Sequence, residues 1–102
     1  MDGETTYGLR DQEFEWDAEK ARANLRRHGI PFTVAASVFF DPNAIYGLDG
    51  REDYGEDREW VVGAPLERPR LIHVVYTERG SRFRLISAWK ADANERRAYS
   101  RR

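Results

Sequence analysis

Leu71-Ile-His-Val-Val-Tyr-Thr-Glu-Arg-Gly-Ser-Arg-Phe-Arg-Leu-Ile-Ser-Ala-Trp-Lys90 reads as a β-hairpin, and this reading decides the fold. Its arms, Leu71 to Glu78 and Arg82 to Lys90, are rich in β-branched and aromatic residues, with a tight Arg79-Gly80-Ser81 turn between them. Alternate side chains of a strand face opposite sides. Ile72, Val74 and Tyr76 therefore share a face, as do Phe83, Leu85, Ser87 and Trp89. Arg82, Arg84 and Lys90 lie on the other side of their strand, with Ile86 and Ala88 between them.

Working outward, Arg58 to Ala64 is a further strand at hairpin spacing, joined through Pro65-Leu66-Glu67-Arg68-Pro69. Ala44 to Leu48 is a short strand before it, separated by the loop Asp49 to Asp57 with five acids. Upstream, Phe14-Glu15-Trp16 alternates as a short edge strand does, and Asp17 stands at an N-cap position, although Lys20 leaves the capping box incomplete. Ala18 to His28 is a helix with Ala18, Ala21, Leu25 and His28 on one stripe, closed by Gly29 and Pro31. Phe32 to Phe40 is a second, apolar helix, capped with help from Thr33, that buries Val34, Ala35, Val38 and Phe39 before the Asp41-Pro42-Asn43 turn. A terminal helix opens at Asp92 or Asn94 and runs to Arg102. Residues 1–13 have no apolar periodicity and read as a flexible leader, leaving 14–102 as a single domain. The expected architecture is α+β: a short N-terminal strand, two N-terminal helices packed on a four-stranded antiparallel sheet, and a C-terminal helix. The sheet face opposite the two helices is expected to stay partly open, with arginines to line it.

With 102 residues, 40% of them hydrophobic and none of them cysteine, the chain supports one core and excludes disulfides and thiolate metal sites. No stretch approaches the ~20 apolar residues of a membrane helix, and the acidic, polar N-terminus is no signal peptide, so a soluble cytoplasmic protein is expected. The net charge of −1 conceals polarity: Arg68 to Arg102 carries ten bases against three acids, and the preceding 67 residues carry seven against fifteen. Such a basic end points to a nucleic-acid partner. Fifteen of the seventeen bases are arginine, whose planar fork suits phosphate oxygens.

No histidine pair sits at metal-ligand spacing, and no phosphate loop or nucleophile elbow is present, so no cofactor is expected. What remains can still cleave RNA. The 2′-hydroxyl supplies the nucleophile, so the protein need only orient the phosphate, stabilise its extra charge and move protons.

The run Tyr76-Thr-Glu-Arg-Gly-Ser-Arg-Phe-Arg-Leu-Ile-Ser-Ala-Trp-Lys-Ala91, followed by Glu95-Arg-Arg-Ala-Tyr99, resembles the BrnT toxin family, the ribonuclease partners of type II toxin–antitoxin modules. Phe14-Glu-Trp-Asp17, Lys20 through Asn24-Leu-Arg-Arg-His-Gly29, Phe39-Phe-Asp-Pro42 and Gly55-Glu-Asp-Arg58 running into Val62-Gly63 extend the resemblance over roughly residues 14–99. It implies a RelE-like fold, RNA cleavage, inhibition of translation and neutralisation by a BrnA antitoxin. That antitoxin is a ribbon-helix-helix DNA binder, so operator DNA is met only through it. At position 89 the family usually has arginine in an Ile-Ser-Ala-Arg pattern, and here it is Trp89. Either the copy is weakened, acting as a nucleic-acid- or antitoxin-binding module, or Arg82 or Arg84 substitutes.

On this basis Arg79, Arg82 and Arg84 would hold the scissile phosphate, with Arg58 assisting. The alternative is a solvated strand face paired with Glu59 or Glu78. Lys90 would stabilise the leaving oxygen or simply end its strand. His73, inside an apolar strand, is either packed or a proton shuttle, and His28 is placed to cap helix carbonyls. Glu95 would orient its neighbours, while Arg96 and Tyr99 would bind RNA or pair and pack locally. Trp16 and Trp60 read as core residues and Trp89 as a base-stacking platform. The acidic loop 49–57 would either attract a basic antitoxin segment or be solvated.

Overall fold

The computed structural model of the chain describes residues 3–50 and 57–101. Its strands are β1 (Glu4–Leu9), β2 (Gln12–Asp17), β3 (Ile45–Leu48), β4 (Glu59–Gly63), β5 (Ile72–Arg79) and β6 (Arg82–Lys90). Its helices are α1 (Ala18–His28), α2 (Phe32–Ala36) and α3 (Ala93–Arg101), with a 3-10 turn at Ser37–Phe40 after α2. The six strands form one sheet in the order β1-β2-β6-β5-β4-β3. β2 runs parallel to β6 and every other pair is antiparallel. The α+β class stands, but the expected four-stranded antiparallel sheet is overturned by this six-stranded mixed one.

The difference begins at the N-terminus. Residues 4–9, expected to belong to a leader, form an edge strand whose Tyr7 packs near Phe14 and Trp16, with ring centroids 6.4 and 5.7 Å apart. Arg10 and Asp11 make the two-residue turn with φ of 52° and 72°, the left-handed pair that matches strand twist. Neither is glycine. The Arg10 guanidinium lies 5.4 Å from the centre of the Phe40 ring, which helps hold this turn against the apolar layer.

Asp17 caps α1 as expected, its Oδ1 accepting from the N–H groups of Glu19 at 2.8 Å and Lys20 at 3.3 Å. Gly29, at φ 73°, closes the helix by donating to the Leu25 carbonyl. The buried stripe runs through Ala21 and Asn24, and Leu25 is instead half exposed. The helix expected over Phe32–Phe40 breaks after Ala36. Ser37 Oγ donates to the Val34 carbonyl at 2.7 Å and accepts from Leu66 N–H at 2.9 Å, tying this turn to the β4–β5 loop. Thr33 makes no capping bond.

α1 and α2 cover one face of the sheet. The core between them holds Phe14, Trp16, Phe32, Val38, Val61, Val74, Tyr76 and Leu85, with Phe39 stacked on Phe83 at 4.7 Å. Each such large side chain contributes roughly 1.5–3 kcal/mol by leaving water.

Two local features then fix what the other face presents. The β5–β6 register shifts between Val75↔Ser87 and Tyr76↔Leu85, so Ile86 is an extra residue in β6. This bulge reverses the alternation. Phe83 and Leu85 face the helices, but Ser87 and Trp89 face away with His73, correcting the expectation that all four share a face. Lys90, opposite Ile72, lies on the helix side rather than with Arg82 and Arg84.

The second feature is Asn24. β2 follows β6 only as far as Arg84, which leaves the later part of that edge to α1. There the buried Asn24 amide donates to the Ala88 carbonyl and accepts from Ala88 N–H, both at 3.0 Å, and also donates to the Ile30 carbonyl at 3.1 Å. It replaces the missing strand for one residue.

Asn24→Ala leaves these buried backbone groups without their partner, so a loss of about 3 kcal/mol is expected in urea denaturation. A change within about 0.5 kcal/mol would show that the clamp is dispensable.

Candidate functional site

The sequence places ten candidate residues near the sheet, and the structure sorts them into separate groups. Arg79, Arg82 and Arg84 do converge, at the hairpin end of β5 and β6, but they converge on carboxylates. Arg84 Nη1 lies 2.8 Å from Glu15 Oε2 and 2.7 Å from Glu4 Oε1, and its Nη2 lies 3.1 Å from Glu4 Oε2. Arg82 approaches Glu15 at 3.5 Å and Glu13 at 3.9 Å, and Arg79 approaches Glu15 at 3.9 Å. Three guanidiniums thus face Glu4, Glu13 and Glu15 from β1 and β2. The bond from Arg84 holds the Glu4 carboxyl below its usual range, and the reciprocal bond raises Arg84 further. The anticipated partners were Glu59 and Glu78. Glu59 instead accepts the Tyr76 hydroxyl at 2.8 Å, and burial together with that bond pushes the phenol far above its usual range.

About five residues along β6 from Arg84, roughly 16 Å at the rise of a strand, a second group assembles on the same face. His73 sits between two indoles: Trp89 at 4.6 Å and 12° between planes, Trp60 at 5.7 Å and 27°. Its Nδ1 lies 2.6 Å from Glu95 Oε2. Residues 22 apart in sequence, both expected in the site, are joined by one hydrogen bond. Glu95 is itself fixed by a capping box that opens α3. Its Oε1 accepts from Asp92 N–H at 3.0 Å, while its own N–H donates to Asp92 Oδ1 at 2.8 Å. Asp92, rather than Asn94, is the cap.

Trp60 is not part of the helix-covered core. It lies across Gly47 of β3, where a Cβ would come within 2.3 Å of the indole. Only a residue without a side chain admits the ring there. Trp60, His73 and Trp89, with Asp49, Asp92 and Glu95, line an open cleft of about 370 Å³.

The remaining residues lie apart from this cleft. Lys90 opens on the other side of β6, in a cleft with His28. Arg96 donates to the Ala91 carbonyl at 2.9 Å. Tyr99 donates to Asp41 Oδ2 at 2.6 Å, the same oxygen that accepts Ala64 N–H at 2.8 Å. Arg58 is half-buried at the start of β4. One face of Trp89 is taken by His73, and the exposed His28 ring is tilted beside it at 6.0 Å, closing α1 next to the indole. Of the acidic loop, residues 51–56 fall outside the described ones, and Asp49 N–H donates to the Arg58 carbonyl at 2.8 Å.

In chemical terms the cleft offers a histidine whose tautomer is set. The Glu95 carboxylate is an acceptor, so the neutral ring carries its proton on Nδ1 and keeps Nε2 as the basic nitrogen. Sequence reasoning missed Glu4, Glu13 and Glu15 as neutralising partners, because they belong to the strand taken for a leader and its neighbour. The Asp92-x-x-Glu95 capping pattern was the available signal for the α3 end of the site. Among the described residues, no group of three or more His, Asp or Glu side chains is spaced to hold a metal ion. No described helix is long and apolar enough to cross a membrane.

Residues 16–95 match the family model for the ribonuclease toxin BrnT of type II toxin–antitoxin systems. No curated protein matches the chain.

The Glu4 contribution has a defined pH window. A carboxyl lowered in the folded state stabilises fully above its ordinary pKa and ceases to as pH falls through the lowered value. The melting-temperature difference between wild type and Glu4→Gln should therefore be present at pH 7 and shrink as pH falls below about 4. A difference that grew on acidification would contradict the Arg84 pairing.

Proposed function

Because the chain belongs to the BrnT family of ribonuclease toxins of type II toxin–antitoxin systems, we propose that it cleaves RNA without a metal ion and so arrests translation. Its partner is then a BrnA-type ribbon-helix-helix antitoxin, which neutralises it in the cytoplasm and alone contacts operator DNA.

One contact supports the catalytic reading: the 2.6 Å bond that joins His73 to Glu95. A base oriented by a carboxylate is an arrangement that serves general-base catalysis. His73 Nε2 takes the proton of the 2′-hydroxyl as that oxygen bonds to phosphorus. The bond from phosphorus to the 5′-oxygen breaks, the leaving oxygen takes a proton from solvent water, and a 2′,3′-cyclic phosphate remains. His73 later returns its proton to solvent. Glu95 holds the ring and stabilises the imidazolium that forms.

A second reading has its own observation. His73 is only 9% exposed between its two indoles, which suits a packed residue as well as a base. A protein of this kind binds RNA or antitoxin and leaves no products.

Incubation with single-stranded RNA, with product ends analysed, separates the two. His73→Ala is expected to lower the rate by about 10²–10⁴-fold. Glu95→Gln keeps a capping-box residue, so a large loss in that variant reports the missing charge rather than an unwound helix. Wild-type rates retained in both variants would remove the pair from the mechanism. Intact RNA with the wild type, and unimpaired growth on expression without antitoxin, would favour the binding module.

A further inference from the structure

A ribonuclease must hold a polyanion, yet neither site described so far is built for it. Among the described residues, the His73 cleft has Asp49, Asp92 and Glu95 on its walls and no Arg or Lys to hold the flanking phosphates. The arginines at the hairpin end face an equal number of glutamates. The basic excess of the last third of the chain must therefore be exposed elsewhere.

It is exposed on the other side of the end of β6. The bulge that turns Trp89 toward His73 turns Lys90 the opposite way. There Lys90, Arg68, Arg70 and His28 surround a cleft of about 400 Å³ with apolar surface from Pro69, Leu71 and Ile72. Arg70 and Lys90 also line an adjoining hollow of about 470 Å³ that reaches Arg96. A third hollow continues from Arg96 along α3 past Arg97 and Arg101. Shared residues make the three one groove, and among the described residues no Asp or Glu lines any of them. Glu67, adjacent in sequence, lines a different pocket with Tyr7 and Leu9. Among the described residues, Arg68, Arg70 and Lys90 have no ion-pair partner, and all three are exposed.

We propose that the groove formed by His28, Arg68, Arg70, Lys90 and Arg96 binds the phosphodiester backbone of single-stranded RNA. A row of cations with no described acid among them matches a ligand whose charge repeats with one sign. The apolar floor suits ribose and base faces, which stack or pack without sequence preference. An acidic peptide is the other ligand of this charge. RNA is favoured over it because the groove continues through three successive hollows with charge in each. The choice of RNA as the polyanion rests on the ribonuclease reading. The groove itself does not depend on His73.

The test uses fluorescence anisotropy with a labelled single-stranded RNA carrying 2′-O-methyl groups, which cannot be cleaved, at several salt concentrations. For single strands the slope of log K against log salt is about −0.7 for each phosphate neutralised. The triple variant Arg68→Ala/Arg70→Ala/Lys90→Ala should bind at least about tenfold more weakly at low salt, with a slope shallower by about 2. Arg22→Ala, an exposed arginine paired with Glu19 on α1, should match wild type in both. Circular dichroism checks folding. Should the triple variant fail to fold, the three single variants, each expected to lose about 0.7 of slope, carry the same test. Unchanged affinity and slope would overturn the proposal, as would binding of poly-glutamate with no binding of RNA. Because binding is read on an uncleavable RNA, wild-type cleavage rates of unmodified RNA in His73→Ala, with binding intact, sink only the His73 mechanism. Loss of the groove's charge without effect on binding sinks only the groove.

Discussion

The Asn24 amide, bonded on both sides to the backbone of Ala88, is the constraint on which the functional half of the molecule depends. β6 is central in the sheet, but its strand neighbour on the N-terminal side departs after Arg84. From that point α1 replaces a strand, and a single buried side chain supplies the donor and the acceptor that a strand would have given. Just before this clamp, Ile86 bulges out of register with β5. Bulge and clamp together fix which way the last residues of β6 face. Trp89 goes to one side against His73, and Lys90 goes to the other beside His28. A sheet with regular alternation would put Trp89 on the helix side of β6, away from His73.

Electrostatics divides the surface along the same line. The sequence shows a basic end and an acidic remainder, which suggests attraction between them as readily as attraction to a ligand. Both occur. At the hairpin end the charges meet, because β1 and β2 bring Glu4, Glu13 and Glu15 to the arginines of β5 and β6. Apart from the part-buried Arg84–Glu15 contact, each pair has an exposed partner and adds little stability by itself, and the main effect of the set is to cancel a field. At the opposite end no described strand supplies carboxylates to Arg68, Arg70 and Lys90, so the field there persists. Convergence of arginines alone is thus a weak guide to an anion site. What matters is whether acids converge with them.

Much of the fold is legible in the chain, and the parts that are not share a physical cause. The β5–β6 hairpin, the Asp17 cap and the Gly29 stop are local signals and stand where the sequence puts them. β1 is hidden because its turn uses Arg10 and Asp11 in left-handed conformation, without the Asn-Gly or Asp-Gly pair that marks such turns. Its stabilisation comes from Tyr7 on distant aromatics, not from periodicity. The bulge is hidden because Ile86 is apolar and fits either phase of the strand. In the site, His73 and Glu95 are nameable from residue type, yet their bond depends on where α3 lands, which no local pattern encodes. The groove was missed for a related reason. Simple alternation puts Lys90 on the arginine face, and one inserted residue reverses its side.

The most direct test of this account is the position of the His73 ring-proton resonances in a proton NMR spectrum of the folded protein. A ring held between the faces of Trp60 and Trp89 lies in the shielding cone of both indoles, so both carbon-bound ring protons should resonate well upfield of free imidazole. In Trp89→Leu that displacement should fall markedly. His73 ring protons at free-imidazole positions in the wild type would mean that Trp89 does not face His73. The bulge and the division of the two clefts would then both be wrong.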